Sequence, residues 1–200
     1  RLMKRSDVEL TTLSEEQRKD TESRKQALNS AQVAFLCLPD AAAVEAVELV
    51  ENPDTVIIDT STAHRTSEGW AYGFPELSAE FEDKIKNSKR IAVPGCHAGG
   101  FIALVYPLVE AGVLGNDALL SCYSLTGYSG GGKKMIAEYE SEDKSPLLFA
   151  PRQYGLTQQH KHLKEMKGIT GIEKFPIFCP LVDDFYSGMQ VTVSLFAEQI

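Results

Sequence analysis

The chain is 200 residues long, 43% hydrophobic and 24% charged, the balance of a globular protein with room for one large domain or two small ones. A net charge of −8 argues against a general affinity for nucleic acid or anionic membrane, so an anionic substrate would need a local cationic pocket. The four cysteines (Cys37, Cys96, Cys122 and Cys179) show no CxxC or zinc-ligand spacing, and nothing resembles a signal peptide or a membrane span, which predicts a reducing, cytoplasmic setting.

Residues 1–32 are polar, with a predicted short strand at 8–13 and a helix over 14–29. Residues 33–38 form a continuous apolar run, the pattern of a parallel strand covered on both faces, which would make Cys37 a core residue. An alanine-rich helix follows at 41–50, then a second strand at 56–59, a loop, and a third strand at 91–93. Strand, helix, strand, loop, strand implies right-handed crossovers and a parallel sheet, whose ligands sit beyond the carboxyl ends of the strands. Three segments are expected there: Pro39-Asp40, Thr60-Ser-Thr-Ala-His-Arg65 and Pro94-Gly-Cys96. The glycine-rich turn that opens a dinucleotide-binding sheet is not seen before Gly69, so the sequence is expected to begin after that first strand. Glu76 reads as a buried, paired carboxylate.

Pro94 and Gly95 break the third strand, and the spacing of Phe101, Leu104, Val105 and Leu108 predicts a helix. Cys96 therefore falls at a helix N-terminus, where unpaired N–H groups and the macrodipole favour a thiolate. Gly95, Gly99 and Gly100 would leave room for a ligand approaching the sulfur. The competing reading is a small buried hydrophobe, and the neighbouring His97 by itself is weak evidence for a metal.

A strand at 118–125 runs into Gly127-Tyr-Ser-Gly-Gly-Gly-Lys-Lys134 and a helix at 135–139. This is nearly a P-loop, but Lys134 stands where Ser or Thr would hold Mg²⁺. Another type of anion-binding loop and a plain surface turn remain open. Thr157 is the expected cap of a helix bearing His160 and His162. Two residues apart, they would point to opposite sides of a helix, whereas on an extended segment both could face one site. Residues 177–180 and 189–196 read as strands, the latter antiparallel with one wet face.

Taken in order, these motifs resemble one family: the short form of N-acetyl-γ-glutamyl-phosphate reductase, related to aspartate-semialdehyde dehydrogenase. The matching pieces are Leu36-Cys-Leu-Pro-Asp40, Ile58-Asp-Thr-Ser-Thr-Ala-His-Arg65, Tyr72-Gly-Phe-Pro-Glu-Leu77, Pro94-Gly-Cys-His-Ala-Gly-Gly100, Gly127-Tyr-Ser-Gly-Gly-Gly-Lys133, Tyr154-Gly-Leu156 with His160-Lys-His162, and Phe185-Tyr-Ser-Gly-Met189. The resemblance implies an α/β fold: a partial Rossmann-like, parallel-sheet NADP-binding domain over residues 1–95, then an α+β catalytic and dimerisation domain over 96–200. It also implies that these 200 residues are about two-thirds of a longer protein, which extends past them at both ends.

The implied activity is NADPH-dependent reduction of N-acetyl-L-glutamyl 5-phosphate to the 5-semialdehyde in arginine biosynthesis, through a thioester on Cys96 with His162 as the base. Arg65, His160, Glu165 and Lys133 would contact or orient substrate. Pro39, Ser61, Ser129 and Gly130 would line the cofactor. A homo-oligomer, dimer or tetramer, is implied, with no metal, nucleic acid or membrane partner. Within the same class the alternative is aspartate-semialdehyde dehydrogenase. Outside it stand a P-loop-like nucleotide hydrolase and a non-catalytic, partner-binding remnant.

Overall fold

The computed structural model describes residues 2–200, which cluster into two compact units, 2–73 with 83–93 and 74–82 with 94–200.

In the first unit, strands β1 (Val33–Leu36), β2 (Val56–Asp59), β3 (Ala71–Tyr72) and β4 (Arg90–Ala92) form a sheet of order β1-β2-β4-β3, parallel at every pairing. Helix α1 (Thr21–Ser30) precedes β1 and α2 (Asp40–Glu48) follows it. Leu36, Ala46 and Ile57 are the buried core of these elements, with Leu28, Ala34, Val47, Val50 and Trp70 packed around them. Asn29 ties α1 to the turn before β2, its Oδ1 accepting the N–H groups of Glu51 and Asn52 at 2.7 Å each.

Several expectations change here. No strand forms at 8–13, and α1 starts at Thr21, where Asp20 caps it by accepting the Ser23 N–H at 2.7 Å. Strand β1 is not covered on both faces: it lies at a sheet edge, and Val33 and Phe35 are 46% and 51% exposed while Leu36 is buried. Cys37 shares the open side and is exposed, not a core residue. The segment read as a loop before β4 contains α3 (Ala79–Asn87), with Glu80 and Glu82 in its first turn and Lys84 and Lys86 in its last, charges that match the helix dipole. Glu76 is exposed in a 3₁₀ turn, Pro75–Leu77, so the buried reading of its carboxylate fails.

The second unit has a mixed sheet of order β6-β7-β5-β8, from β5 (Ser121–Gly127), β6 (Arg152–Gln153), β7 (Ile177–Asp183) and β8 (Met189–Ser194). Strand β8 is antiparallel to β5 as its alternation predicts, and β5 and β7 run parallel. Helix α4 (Cys96–Glu110) buries Phe101, Ile102 and Val105 and packs against α6 (His162–Thr170) and β8. A Cβ on Gly100 would overlap Val191 of β8, whereas one on Gly99 would meet only Pro94, at 3.7 Å. Gly100 therefore serves helix–strand packing, not clearance for a ligand.

Helix α6 begins at His162 with Lys161 as its N-cap, four residues later than expected. Gln158 is the cause. Its φ is +56°, and its carboxamide accepts the Phe178 N–H at 2.8 Å and donates to the Phe178 carbonyl at 2.7 Å. That two-point attachment to β7 holds 157–161 as a turn.

Candidate active site around Cys96

Cys96 is the first residue of α4, with Gly95 as N-cap, so its side chain stands at the open N-terminal turn. Cys96 is exposed while His97 and Ala98 are buried, which sets the thiol outward from a rigid support. The Gly95 N–H donates to Glu165 Oε1 at 2.7 Å. Glu165 lies in the first turn of α6 and is 2% exposed. One carboxylate thus ties together the starts of two helices.

The histidines gather beside it. The His97 ring centroid lies 5.7 Å from that of His162 and 6.2 Å from that of His160, and the latter two lie 4.6 Å apart. Because 158–161 is a turn, His160 and His162 both reach this cluster, the outcome the spacing allowed only for a non-helical segment. His160 Nδ1 accepts the His162 backbone N–H at 3.2 Å. Burial, followed by the nearby Lys161 charge, lowers the pKa of His160, and burial followed by His160 takes His97 down to about 4. Tyr154 is pushed up to about 12 by burial and then by Cys96, whose charge its phenol feels.

Sequence reasoning missed three members of this cluster. His97 accepts or donates at both ring nitrogens, Nδ1 to Ser124 Oγ at 2.6 Å and Nε2 to Tyr154 Oη at 2.7 Å. The available signals were the position of His97 one residue into the Cys96 helix and the inward alternation of Cys122, Ser124 and Thr126 on β5.

The near-P-loop segment is not a phosphate cradle over its first half. Residues 128–131 form a 3₁₀ turn before α5 (Gly132–Tyr139). The N–H groups of Gly127, Tyr128 and Ser129 donate to the carbonyls of Gly188, Phe185 and Tyr186 at 3.1, 2.9 and 3.0 Å. A Cβ at Gly127 would stand 2.6 Å from the Phe185 carbonyl, so that glycine permits a backbone-to-backbone approach. Gly130 and Lys133 are exposed and Ser129 is half-buried.

In the first unit, the segments after β1 and β2 are joined by Asp40, whose carboxylate accepts the Thr62 N–H at 2.9 Å and its hydroxyl at 2.5 Å. The buried Asp59 carboxylate accepts the Ser61 N–H at 2.9 Å and the Ser61 hydroxyl at 2.7 Å, and pairs with His64 Nδ1 at 2.7 Å. His64 stacks on Trp70 with centroids 4.0 Å apart. Arg65 is buried, its Nε donating to the Val93 carbonyl at 2.8 Å and its Nη2 to that of Thr60 at 3.1 Å. Pro39 is exposed and leaves the first turn of α2 without a side-chain cap. The start of α2 lies beyond the carboxyl end of β1, where a parallel sheet takes its ligand, and it carries the Asp40 carboxylate. Among the described residues no helix is long and apolar enough to cross a membrane.

Residues 4–87 match the model of the semialdehyde dehydrogenase NAD binding domain, and residues 96–199, just over half of the chain, match that of the semialdehyde dehydrogenase dimerisation domain. The chain belongs to the semialdehyde dehydrogenase family. Within it, the chain is 47% identical over 195 residues to the N-acetyl-gamma-glutamyl-phosphate reductase of Chelativorans sp. (strain BNC1), covering 98% of this chain and 62% of that one. It is 45% identical over 203 residues to the protein of that name from Sinorhizobium medicae (strain WSM419), covering 100% and 65%. The resemblance read from the motifs is borne out, and the chain spans under two-thirds of the length of these relatives. Among solved structures, aspartate semialdehyde dehydrogenase II from Vibrio cholerae is similar with a TM-score of 0.62 at 16% identity, over 83% of this chain and 56% of that one. The Candida albicans aspartate semialdehyde dehydrogenase solved with NADP gives 0.58 at 17%, over 84% and 51%. At those identities the likeness is one of fold, and it agrees with the α/β semialdehyde-dehydrogenase architecture expected from the sequence.

Proposed function

We propose that the protein to which this chain belongs reduces N-acetyl-L-glutamyl 5-phosphate to the 5-semialdehyde, releasing phosphate, with Cys96 as the nucleophile. The carrying observation is an exposed cysteine on the first turn of α4 whose buried neighbour His97 lies 5.7 Å, ring to ring, from the buried His162 on the first turn of α6. The relatives named N-acetyl-gamma-glutamyl-phosphate reductase support the substrate, and with it a place in arginine biosynthesis.

In this reading His162 takes the thiol proton, and Cys96 Sγ attacks the acyl carbon. The C–O bond to phosphate breaks, leaving a thioester. A nicotinamide dinucleotide, when bound, supplies the hydride that takes the thioester to the aldehyde level. His162 then returns the proton as the C–S bond breaks and the aldehyde leaves. Glu165 acts by fixing the Gly95 N–H and so the Cys96 turn, and His160 by supporting His162. Arg65, held by the Val93 and Thr60 carbonyls, and Lys133 are the proposed cations for the substrate's anionic groups. Pro39, Ser61, Ser129 and Gly130 are the proposed cofactor contacts, with Ser61 acting through its backbone carbonyl because its N–H and hydroxyl both serve Asp59. NADPH is favoured by the resemblance and by the NADP named for the Candida albicans neighbour. The proposed domain boundary is near residue 95, and the proposed assembly is a homo-oligomer built on the region matched as a dimerisation domain. Four free cysteines suit a cytoplasmic setting.

The test is a reductase assay on the full-length protein with iodoacetamide labelling of Cys96. Cys96→Ser should lower kcat by more than about 10³-fold, and substrate should protect Cys96 from alkylation. A Cys96→Ser protein that keeps its activity would sink the reading.

A further inference from the structure

The reaction outlined above leaves Ser124, His97 and Tyr154 without a part, yet they form one hydrogen-bonded line. Ser124 Oγ lies 2.6 Å from His97 Nδ1, and His97 Nε2 lies 2.7 Å from Tyr154 Oη. Ser124 is 0% exposed and His97 3%. The ring is walled by Phe178 at 5.5 Å and by the two other histidines, so its plane is fixed.

A neutral imidazole has one N–H and one lone pair, so the line can run in only two directions. With the proton on Nδ1, His97 donates to Ser124 Oγ. The serine's own hydrogen is then left without an acceptor, since His97 is the one partner of that hydroxyl among the described residues and solvent does not reach it. A buried donor with no acceptor is a costly state. With the proton on Nε2, Ser124 donates to Nδ1 and Nε2–H donates to Tyr154 Oη, so the buried serine is satisfied and the hydrogen left over belongs to the half-buried Tyr154. The phenol hydrogen must then point away from His97.

We propose that Ser124 and His97 are positioning residues that fix the Tyr154 phenol as a hydrogen-bond donor to the acyl oxygen of a substrate on Cys96. The proposal rests on the reading of Cys96 as the nucleophile. Negative charge builds on that oxygen when sulfur attacks, and a donor already oriented toward it needs no reorganisation at that moment. Two observations support the line. The depressed pKa of His97, about 4, keeps the ring neutral at physiological pH, and the raised pKa of Tyr154, about 12, keeps the phenol a donor. Tyr154 bonds the residue directly after Cys96 in α4, which brings the phenol to the same helix turn as the thiol.

The experiment is a double-mutant cycle in the full-length reductase, reading kcat, KM and the rate of Cys96 alkylation by iodoacetamide. Tyr154→Phe should lower kcat on the order of 10²-fold, with KM and alkylation within about threefold of wild type. Ser124→Ala should lower kcat about tenfold alone, but less than about twofold in the Tyr154→Phe background, because there is no phenol left to orient. His97→Gln, whose carboxamide can still donate to Tyr154, should retain more activity than His97→Leu. If Ser124→Ala or His97→Gln costs the same in both backgrounds, the residues only pack and the relay is overturned. A Tyr154→Phe enzyme with wild-type kcat overturns it too. Loss of the Cys96 reading is distinguishable: Cys96→Ser would keep activity, or Cys96 would resist alkylation, whatever residue 154 is.

Discussion

Glu165 holds the backbone N–H of Gly95 at 2.7 Å, so a carboxylate on α6 sets the residue immediately before Cys96. The contact is buried and charge-assisted, the kind of hydrogen bond whose loss is expensive because the N–H is left without a partner. Glu165→Ala should destabilise the fold by about 2–3 kcal/mol in denaturant unfolding. Glu165→Gln keeps an acceptor oxygen and should cost less than half as much. Iodoacetamide labelling of Cys96 should change more in the Ala variant than in Gln. Equal stability of the two variants would mean that the Gly95 contact contributes nothing.

Gly99 and Gly100 sit side by side on α4 and should answer the same substitution in opposite ways. A Cβ at Gly100 overlaps the Val191 side chain, so Gly100→Ala should cost about 1–3 kcal/mol through overpacking of α4 on β8. At Gly99 the added carbon meets Pro94 at 3.7 Å, ordinary contact, so Gly99→Ala should be neutral or stabilise the helix by up to about 1 kcal/mol. Thermal unfolding of the two variants side by side decides it.

This pair also marks where sequence reasoning runs out. The local grammar around Cys96 was readable: a strand broken by Pro94-Gly95, a helix with apolar spacing, and a nucleophile at its first turn. The parallel first sheet and the antiparallel last strand were readable for the same reason, because periodicity is a local property. What a glycine, histidine or serine does depends on partners distant along the chain. Gly100 meets Val191, His97 meets Ser124 and Tyr154, and Gln158 holds Phe178, across 91, 27, 57 and 20 positions, and no local pattern encodes those meetings. The late start of α6 follows from the Gln158 contact, and with it the arrival of both His160 and His162 at one cluster.

His97 makes stability depend on pH in a defined direction. Burial depresses its pKa from 6.5 in the unfolded chain to about 4 in the fold, so the unfolded state binds the proton more readily between those values. The stability associated with neutral His97 is therefore complete above about pH 6.5 and declines as pH falls toward 4. Between pH 7 and pH 5 the loss from this group is about 2 kcal/mol, and His160, lowered for the same first cause, adds to it. His97→Gln should be less stable at pH 7 but show a shallower fall on acidification. Urea midpoints for both proteins at pH 7, 6 and 5 test this, and parallel curves would remove His97 as the titrating group.

Asp59 is the structural hub of the 59–65 segment, and its removal should loosen that segment. Its buried carboxylate satisfies the Ser61 N–H and hydroxyl and the His64 ring together, while His64 stacks on Trp70. Asp59→Ala leaves those donors without their acceptor in a buried position and should cost about 3 kcal/mol. Asp59→Asn keeps one acceptor oxygen and should cost less. Because Trp70 is the chain's single tryptophan, its fluorescence reports the release of His64 directly. The expected result for Asp59→Ala is altered tryptophan emission under native conditions and a lower unfolding midpoint. Unchanged emission would show that His64 holds its place on Trp70 by stacking alone, and the hub role would pass from the carboxylate to the aromatic pair.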